Sequence, residues 1–288
     1  MKILVTGSNG QLGNELKPLL EDAFPSMTLF TDIDELDLTD AKAVEVFFRN
    51  HEISHVINCA AYTAVDKAEE EKMTCSHVNT DAVKNIAVAS DITGAKIIHI
   101  STDYVFDGTN HRPYMESDKV NPISQYGTSK RKGETALLAI SPEAIIIRTA
   151  WLYSSFGKNF VKTILKESCD KSELKVVSDQ IGTPTYARDL AEAIVTILKS
   201  HQWVPGIYHF TDEGVASWYD FAKAIIRIAG KNTKITPIST DDYPTAAKRP
   251  SYSLLDKTRI KATYGVRIPY WEESLQVCMR EIAKHNQQ

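Results

Sequence analysis

Tyr126 and Lys130 stand four positions apart in "QYGTSKRKGE", and on a helix such positions share one face. A phenol, with an ordinary pKa of about 10, is a poor acid or base near neutrality; a neighbouring ammonium favours its phenolate and lowers that value. Such a pair could protonate the alkoxide left when hydride is added to a carbonyl. The spacing alone is common on surface helices, so it needs partners. One stands 24 residues earlier, where Thr102 closes the apolar run of "HISTDYVFDG" with Ser101 and Tyr104 beside it. Its hydroxyl could polarise the carbonyl oxygen, although Ser-Thr-Asp after a strand is also a common turn or cap.

A second group of residues suits an anion. Gly7, Gly10 and Gly13 in "VTGSNGQLGNEL" follow the first apolar run and open a helical pattern. Glycines there allow a tight turn and close approach to a pyrophosphate, while the helix N-terminus presents its N–H groups. The spacing is GxxGxxG. Asp32 lies 19 residues beyond Gly13, at the end of "TLFTD". A carboxylate there would bond ribose hydroxyls and repel a 2′-phosphate, which favours NADH and leaves NADPH possible. Asp37 and Leu38 follow as candidates to flank the adenine.

These residues need a scaffold that brings them together. Strand-like runs "KILVTG", "TLFTD", "HVINCAA", "KIIHIST", "AIIIRTAWLY" and "LKVVSDQ" alternate with helical patterns such as "DAVKNIAVAS" and "ARDLAEAIVTILKS". The fold class this implies is α/β, a Rossmann-type doubly wound parallel sheet with a smaller C-terminal substrate lobe. Residues 1–150 form the dinucleotide-binding domain, the segment at about 174–200 returns to it, and 151–288 is mainly the lobe. In open sheets of this kind ligands bind outside the carboxyl ends of the strands, so the glycine loop and Thr102 face one crevice.

The 288 residues are 43% hydrophobic and 24% charged with a formal net charge of −4. That is an ordinary globular composition, with no basic stripe for nucleic acid and no polybasic membrane patch. No apolar run has the length of a membrane span or signal-peptide core, so the expectation is a cytoplasmic protein. Cys59, Cys75, Cys169 and Cys278 are scattered without ligand-like spacing and read as small buried hydrophobes. His99, inside "KIIHIS", reads as a satisfied core residue. No metal site is indicated.

With GxxGxxG, a Ser/Thr after the fourth strand and YxxxK in order, the sequence resembles the extended short-chain dehydrogenase/reductase family. The stretches "VINCAAYTAVDKAE", "HISTDYVFDG", "NPISQYGTSKRKGE", "RTAWLYSSFGKNFVKT", "VSDQIGTPTYARDLA" and "KRPSYSLLD" narrow the resemblance to its deoxysugar reductases. It implies reduction of the 4-keto group of dTDP-4-dehydro-L-rhamnose to dTDP-L-rhamnose by NADH or NADPH. In that reading Tyr126 donates the proton, Lys130 holds the nicotinamide ribose and tunes the phenol, and Thr102 bonds the keto oxygen. Gly10, Gln11 and Leu12 lie under the pyrophosphate, with Ala60, Ala61 and Thr63 near the cofactor. Val65, Tyr104 and Trp151 match positions lining the sugar or nucleotide pocket. Lys248 and Arg249, in "KRPSYS", could meet the substrate diphosphate, since arginine suits bidentate phosphate contacts. Some relatives dimerise through magnesium and glutamates. Glu15 matches that region, but Arg188 stands where a carboxylate is needed, so magnesium is not supported and the expectation is a monomer or weak homodimer. The alternatives are a reductase or epimerase of another nucleotide sugar, and a non-catalytic dinucleotide-binding regulatory subunit.

Overall fold

The computed structural model describes residues 1–285. The first half alternates strand and helix: β1 (Ile3–Thr6), α1 (Gln11–Ala23), β2 (Thr28–Thr31), α2 (Ala41–Asn50) and β3 (His55–Asn58). Next come α3 (Lys72–Ser76), a π-helical stretch at His77–Asp81, α4 (Ala82–Thr93), β4 (Lys96–Thr102), α5 (Gln125–Ile140) and β5 (Ile145–Thr149). The chain then forms β6 (Leu152–Tyr153), α6 (Phe160–Asp170), β7 (Glu173–Val177), β8 (Ile181–Gly182), β9 (Thr185–Tyr186), α7 (Ala187–Lys199) and β10 (Gly206–His209). It ends with β11 (Ala216–Ser217), α8 (Trp218–Ile228), β12 (Lys234–Ile238), α9 (Thr258–Tyr264) and α10 (Trp271–His285).

Six strands pair in parallel in the order β10-β5-β4-β3-β1-β2. Every residue of β1 and β5 is buried, as a sheet covered on both faces requires. On one face Leu12, Leu16 and Leu20, one turn apart along α1, pack with Leu190, Ala191 and Ile194 of α7. On the other, Val44 and Phe48 of α2, Ile86 of α4 and Leu137 of α5 close the second layer. Chain direction across the sheet reverses at β1, because β2 lies on one side of it and β3 on the other. The crevice at that switch point is where such sheets bind ligands.

Three details differ from the sequence reading. "LKVVSDQ" does not join the main sheet: β7 pairs with β12 in a separate two-stranded sheet. Its burial alternates, with Leu174 and Val176 inward and Glu173 and Lys175 outward, which suits a sheet covered on one face. "GIYHFT", read as part of the lobe, instead supplies β10, the sixth strand, parallel to β5. The helix between these segments, α7, does pack in the main core against α1. Cys75 and Cys278 are buried and Cys59 partly so, but Cys169 is exposed on α6, whose buried residues Val161, Ile164 and Ser168 lie on another face. A second core surrounds Tyr153, Phe221 and Trp271 in the C-terminal lobe.

Candidate active site

The glycine loop is shaped by close contacts. Gly7 adopts φ 64°, and a Cβ there would lie 2.7 Å from the backbone of Ala60; a Cβ on Gly13 would lie 2.5 Å from Ser8. The ends of β1 and β3 therefore approach only because Gly7 lacks a side chain, and α1 packs on the loop before it only because Gly13 does. Gly10 is the N-cap of α1, and no side chain caps that terminus. A cleft of about 460 Å³ opens here, lined by Gly7, Gly10, Asp32, Asp37, Leu38, Ala60 and Ala61. The bare helix N-terminus, the glycine cradle and the carboxylate on the next strand fit a dinucleotide.

Within this cleft the expected residues play unequal parts. Asp32 already accepts hydrogen bonds from the backbone N–H groups of Asn9 and Ile33, each 2.9 Å, so it braces the glycine loop. Asp37 accepts both the N–H and hydroxyl of Thr39, which hold its carboxyl below the usual range. Leu12 is core, leaving only its backbone for a pyrophosphate. The side chain of Gln11 turns away, toward Leu152 and Asn159. Thr63 is exposed and not among the lining residues.

A buried polar chain runs from this loop to the lysine. Thr6 donates to Asn58 Oδ1 at 2.8 Å, which also accepts the Ala60 N–H at 3.1 Å. Asn58 Nδ2 contacts His99 Nδ1 at 3.0 Å, and His99 Nε2 lies 3.4 Å from Lys130 Nζ. Lys130 Nζ donates to the Ile100 carbonyl at 2.6 Å. With two donors on Oδ1, the amide of Asn58 must offer N–H to His99, so the neutral imidazole is set as its Nε2–H tautomer. Nδ1 of His99 is thus satisfied, whereas its Nε2–H faces the Lys130 amine, which offers an acceptor only when neutral; burial, with the Lys130 charge, holds the His99 pKa well below the ordinary value.

Ser124 caps α5 by accepting the Gly127 N–H at 3.2 Å, and Gly127 itself packs against the Tyr104 carbonyl so tightly that no side chain would fit. This contact brings the start of α5 against the end of β4. Tyr126, Lys130 and Thr102 are 9%, 2% and 5% exposed. Burial pushes the Tyr126 phenol above its usual range, with the Thr102 hydroxyl pulling the other way. Burial also lowers Lys130 to about 8, opposed by the Glu134 carboxylate. Desolvation therefore outweighs the mutual tuning expected from spacing alone.

Beyond Tyr126 lies the second cleft, about 750 Å³, lined by Tyr104, Phe160, Gln180, Trp218 and Arg249 among others. Tyr104 meets Tyr126 edge to face at 5.5 Å, and Val65 packs on the same small apolar cluster of Ala68, Cys75 and Tyr126. Trp151 stacks on Trp218, with centroids 3.7 Å apart, and holds φ 48°. A bulky residue in the left-handed region is strained, and its fixed stacking is what retains it. Arg249 stands on the cleft wall, ion-paired with Asp66 at 2.7 Å. Lys248 is exposed and lines neither cleft, so the structure separates this basic pair.

Several supporting residues escaped the sequence reading. Glu134 and Arg148 form a buried two-point ion pair, and Asp103 is buried beside Thr102. Only their partners make them visible, and those lie elsewhere in the chain. Glu15 is buried and accepts the Ser154 hydroxyl at 2.5 Å. The described residues contain no group of three His, Cys, Asp or Glu side chains placed to hold a metal ion. None of the described helices is long and apolar enough to cross a membrane.

Fold and site together define a dinucleotide-binding α/β protein of the short-chain dehydrogenase/reductase type. More narrowly, the chain belongs to the family described as RmlD substrate binding domain, whose model matches residues 1–284. It is 42% identical over 284 residues to a dTDP-4-dehydrorhamnose reductase of Aggregatibacter actinomycetemcomitans, covering 95% of this chain and 97% of that one. Among solved structures it is similar to a dTDP-4-dehydrorhamnose reductase of Clostridium acetobutylicum, with TM-score 0.94 and 44% identity over 98% of this chain and 100% of that one. The dTDP-4-dehydrorhamnose reductase of Bacillus anthracis in complex with NADP gives TM-score 0.93 and 37% identity, again covering 98% and 100%.

Proposed function

We propose that this protein reduces the 4-keto group of dTDP-4-dehydro-L-rhamnose, yielding dTDP-L-rhamnose, with NADH or NADPH as reductant. The observation that carries the reading is the grouping of Thr102, Tyr126 and Lys130 at the carboxyl end of β4, with Lys130 bonded to the Ile100 carbonyl and Tyr126 against Tyr104 of the aromatic cleft. The reductase relatives, including one solved with NADP, support the same reading. Gly7, Gly10, Gly13, Ala60 and Ala61 hold the dinucleotide, with Asp32 and Asp37 at its adenosine end. When bound, a reduced nicotinamide supplies hydride.

Tyr126 gives its phenolic proton to the keto oxygen, and the hydroxyl of Thr102 hydrogen-bonds that oxygen. The phenolate left behind is charged in a buried place, and the Lys130 ammonium on the same helix face stabilises it. Tyr104 walls the sugar pocket, Trp151 backs it through its stacking on Trp218, Val65 sits in the apolar cluster of Tyr126, and Arg249 meets the diphosphate. Both substrates are solutes of the cytoplasm, and the same reading takes the enzyme to work there as a monomer or weak homodimer. The functional division assigns residues 1–150, with α7 and β10, to the dinucleotide, and most of 151–288 to the sugar nucleotide.

The test mixes purified protein with dTDP-4-dehydrorhamnose and either NADH or NADPH, follows loss of reduced cofactor and identifies the sugar. Formation of dTDP-L-rhamnose supports the reading. Turnover confined to another nucleotide sugar overturns the substrate, and no binding of either dinucleotide overturns the chemistry.

A further inference from the structure

Arg249 reaches the second cleft from a long irregular segment, residues 239–250, in which no helix or strand forms. A guanidinium on such a segment is a poor anion ligand unless something fixes both the backbone and the side chain, because a free arginine loses rotamer freedom on binding. Asp66 fixes both. Its Oδ1 accepts the Ala247 N–H at 3.1 Å, and its Oδ2 accepts Arg249 Nη2 at 2.7 Å. The two partners of one carboxylate thus set the loop and its arginine together, across 183 residues of chain.

Asp66 is itself held from the opposite side of the site. It belongs to the segment after β3 that carries Cys59, Ala60 and Ala61 on the dinucleotide cleft and includes Val65, packed on the apolar cluster of Tyr126. Three residues on, Glu69 accepts the N–H of Gln125, the first residue of α5, at 2.8 Å. The carboxylate therefore stands on a segment tied both to the glycine-loop cleft and to the helix carrying Tyr126 and Lys130. Asp66 engages only Nη2 of Arg249, and among the described residues no protein acceptor takes its other N–H donors. That leaves a second edge of the guanidinium for a phosphate, the fork geometry at which arginine excels.

We propose that Asp66 is a positioning residue for the anionic end of the substrate: it holds Arg249 in place on the cleft wall so that the free edge of the guanidinium meets the diphosphate. The inference rests on the reading that Arg249 contacts the diphosphate. A carboxylate beside the arginine also weakens the local positive field. Asp66 is half-exposed, so solvent screens that field while leaving the orientation intact, and positioning wins.

Calorimetric binding of dTDP alone tests this, with Asp66→Ala, Asp66→Asn, Arg249→Ala and the double Asp66→Ala/Arg249→Ala variant of the full chain. Asp66→Ala is expected to weaken dTDP about tenfold. Asp66→Asn keeps an acceptor for Ala247 but loses the charge, and should weaken dTDP about threefold; it serves as the informative variant if Asp66→Ala fails to fold. The double variant should bind no worse than Arg249→Ala, because Asp66 acts through the arginine. In turnover the loss should fall on the KM for the sugar nucleotide and leave kcat and dinucleotide affinity within about twofold. Unchanged or tighter dTDP binding in the Asp66 variants, or additive losses in the double variant, overturns the proposal. Wild-type protein that ignores dTDP overturns the substrate reading beneath it as well.

Discussion

The two halves of α5 handle buried charge in opposite ways. In its second half Glu134 is fully buried, yet it accepts the Ser101 hydroxyl at 2.7 Å, two bonds of 2.8 Å from Arg148 and one of 3.0 Å from Arg131. Burial alone would raise its carboxyl, but the Arg148 contacts, with Ser101 and Arg131, leave it below the ordinary value. In the first half, Tyr126 and Lys130 are buried without an opposite charge in contact, and both shift toward their neutral forms. Across from them Asp103 rises to about 6 through burial, with the Ser253 and Thr102 hydroxyls pulling the other way. Where the helix has only to be held, its charge is paired; where the proposed reaction would move a proton, the titratable groups have no counter-charge in contact.

Removing the proton breaks the first half most sharply. Tyr126→Phe keeps the ring and its packing on Tyr104 but leaves no donor, so turnover should fall by roughly 10²–10⁴-fold, the ordinary worth of a general acid. Dinucleotide affinity, measured by fluorescence titration, should stay within about threefold. Near-normal turnover would remove Tyr126 from the chemistry. In the second half, Glu134→Gln leaves Arg148 buried without its counter-charge and should cost about 3–5 kcal/mol of stability in urea unfolding. Because the Glu134 pKa is depressed on folding, its contribution is present above the ordinary value of 4.5 and fades as pH falls through the folded value. The gap between wild type and variant should narrow in acid; a gap that ignores pH would deny the pairing.

Asp103 gives the contrasting slope. Its folded pKa is raised from 3.8 to about 6, so its ionisation disfavours the native state. Stability from the protonated form is complete below the unfolded pKa and lost as pH rises through the folded one, about 3 kcal/mol for a shift of this size. Asp103→Asn does not titrate and still accepts from Thr102. Its melting temperature should gain on wild type between about pH 4 and pH 6 and hold that gain above. A difference independent of pH would show that the carboxyl is already paired.

How far these halves could be read in advance depends on where each partner sits in the chain. The glycine loop and the Tyr126/Lys130 pair are local patterns, a few residues wide, and their neighbours announce them. Glu134 in "RKGE" looks like one more solvated charge, since Ser101 and Arg148, which enclose it, stand on other elements. Asp66 is hidden in the same way by its distance from Arg249. Lys248 and Arg249 read as an equivalent basic pair, because direction relative to a cleft is a property of the loop and not of composition. "LKVVSDQ" read as a strand of the main sheet because so short a run cannot distinguish burial on both faces from burial on one; β12 and the second core decide it.

Lys130 translates the comparison into a pH profile. Held to about 8 by burial, it carries its charge below that pH and loses it above. If the ammonium stabilises the Tyr126 phenolate, kcat/KM should fall about tenfold per pH unit above about pH 8, the slope of one lost proton. A flat profile to pH 10 would mean that the amine serves only as an anchor for Ile100 and the ribose.

The smallest effect separates helix stability from helix placement. Ser124 caps α5 through the Gly127 N–H, and Ser217 caps α8 through the Asp220 N–H at 3.0 Å, within a capping box. Alanine at either position should cost about 1 kcal/mol, read as a fall of roughly 2–4 °C in melting temperature. The consequences for turnover should differ, because Ser124 stands two residues before Tyr126 while Ser217 starts a helix of the C-terminal lobe, outside the Tyr126 grouping. Fraying the first turn of α5 moves the phenol relative to Thr102, and a displacement of under an ångström there is enough to reduce proton transfer. Ser124→Ala should therefore lower kcat by several-fold, whereas Ser217→Ala, which loosens the turn carrying Trp218 of the aromatic cleft, should act on KM and leave kcat near wild type at equal stability loss. Equal kcat in the two variants would mean that packing of Gly127 against Tyr104, and not the cap, fixes the position of the phenol.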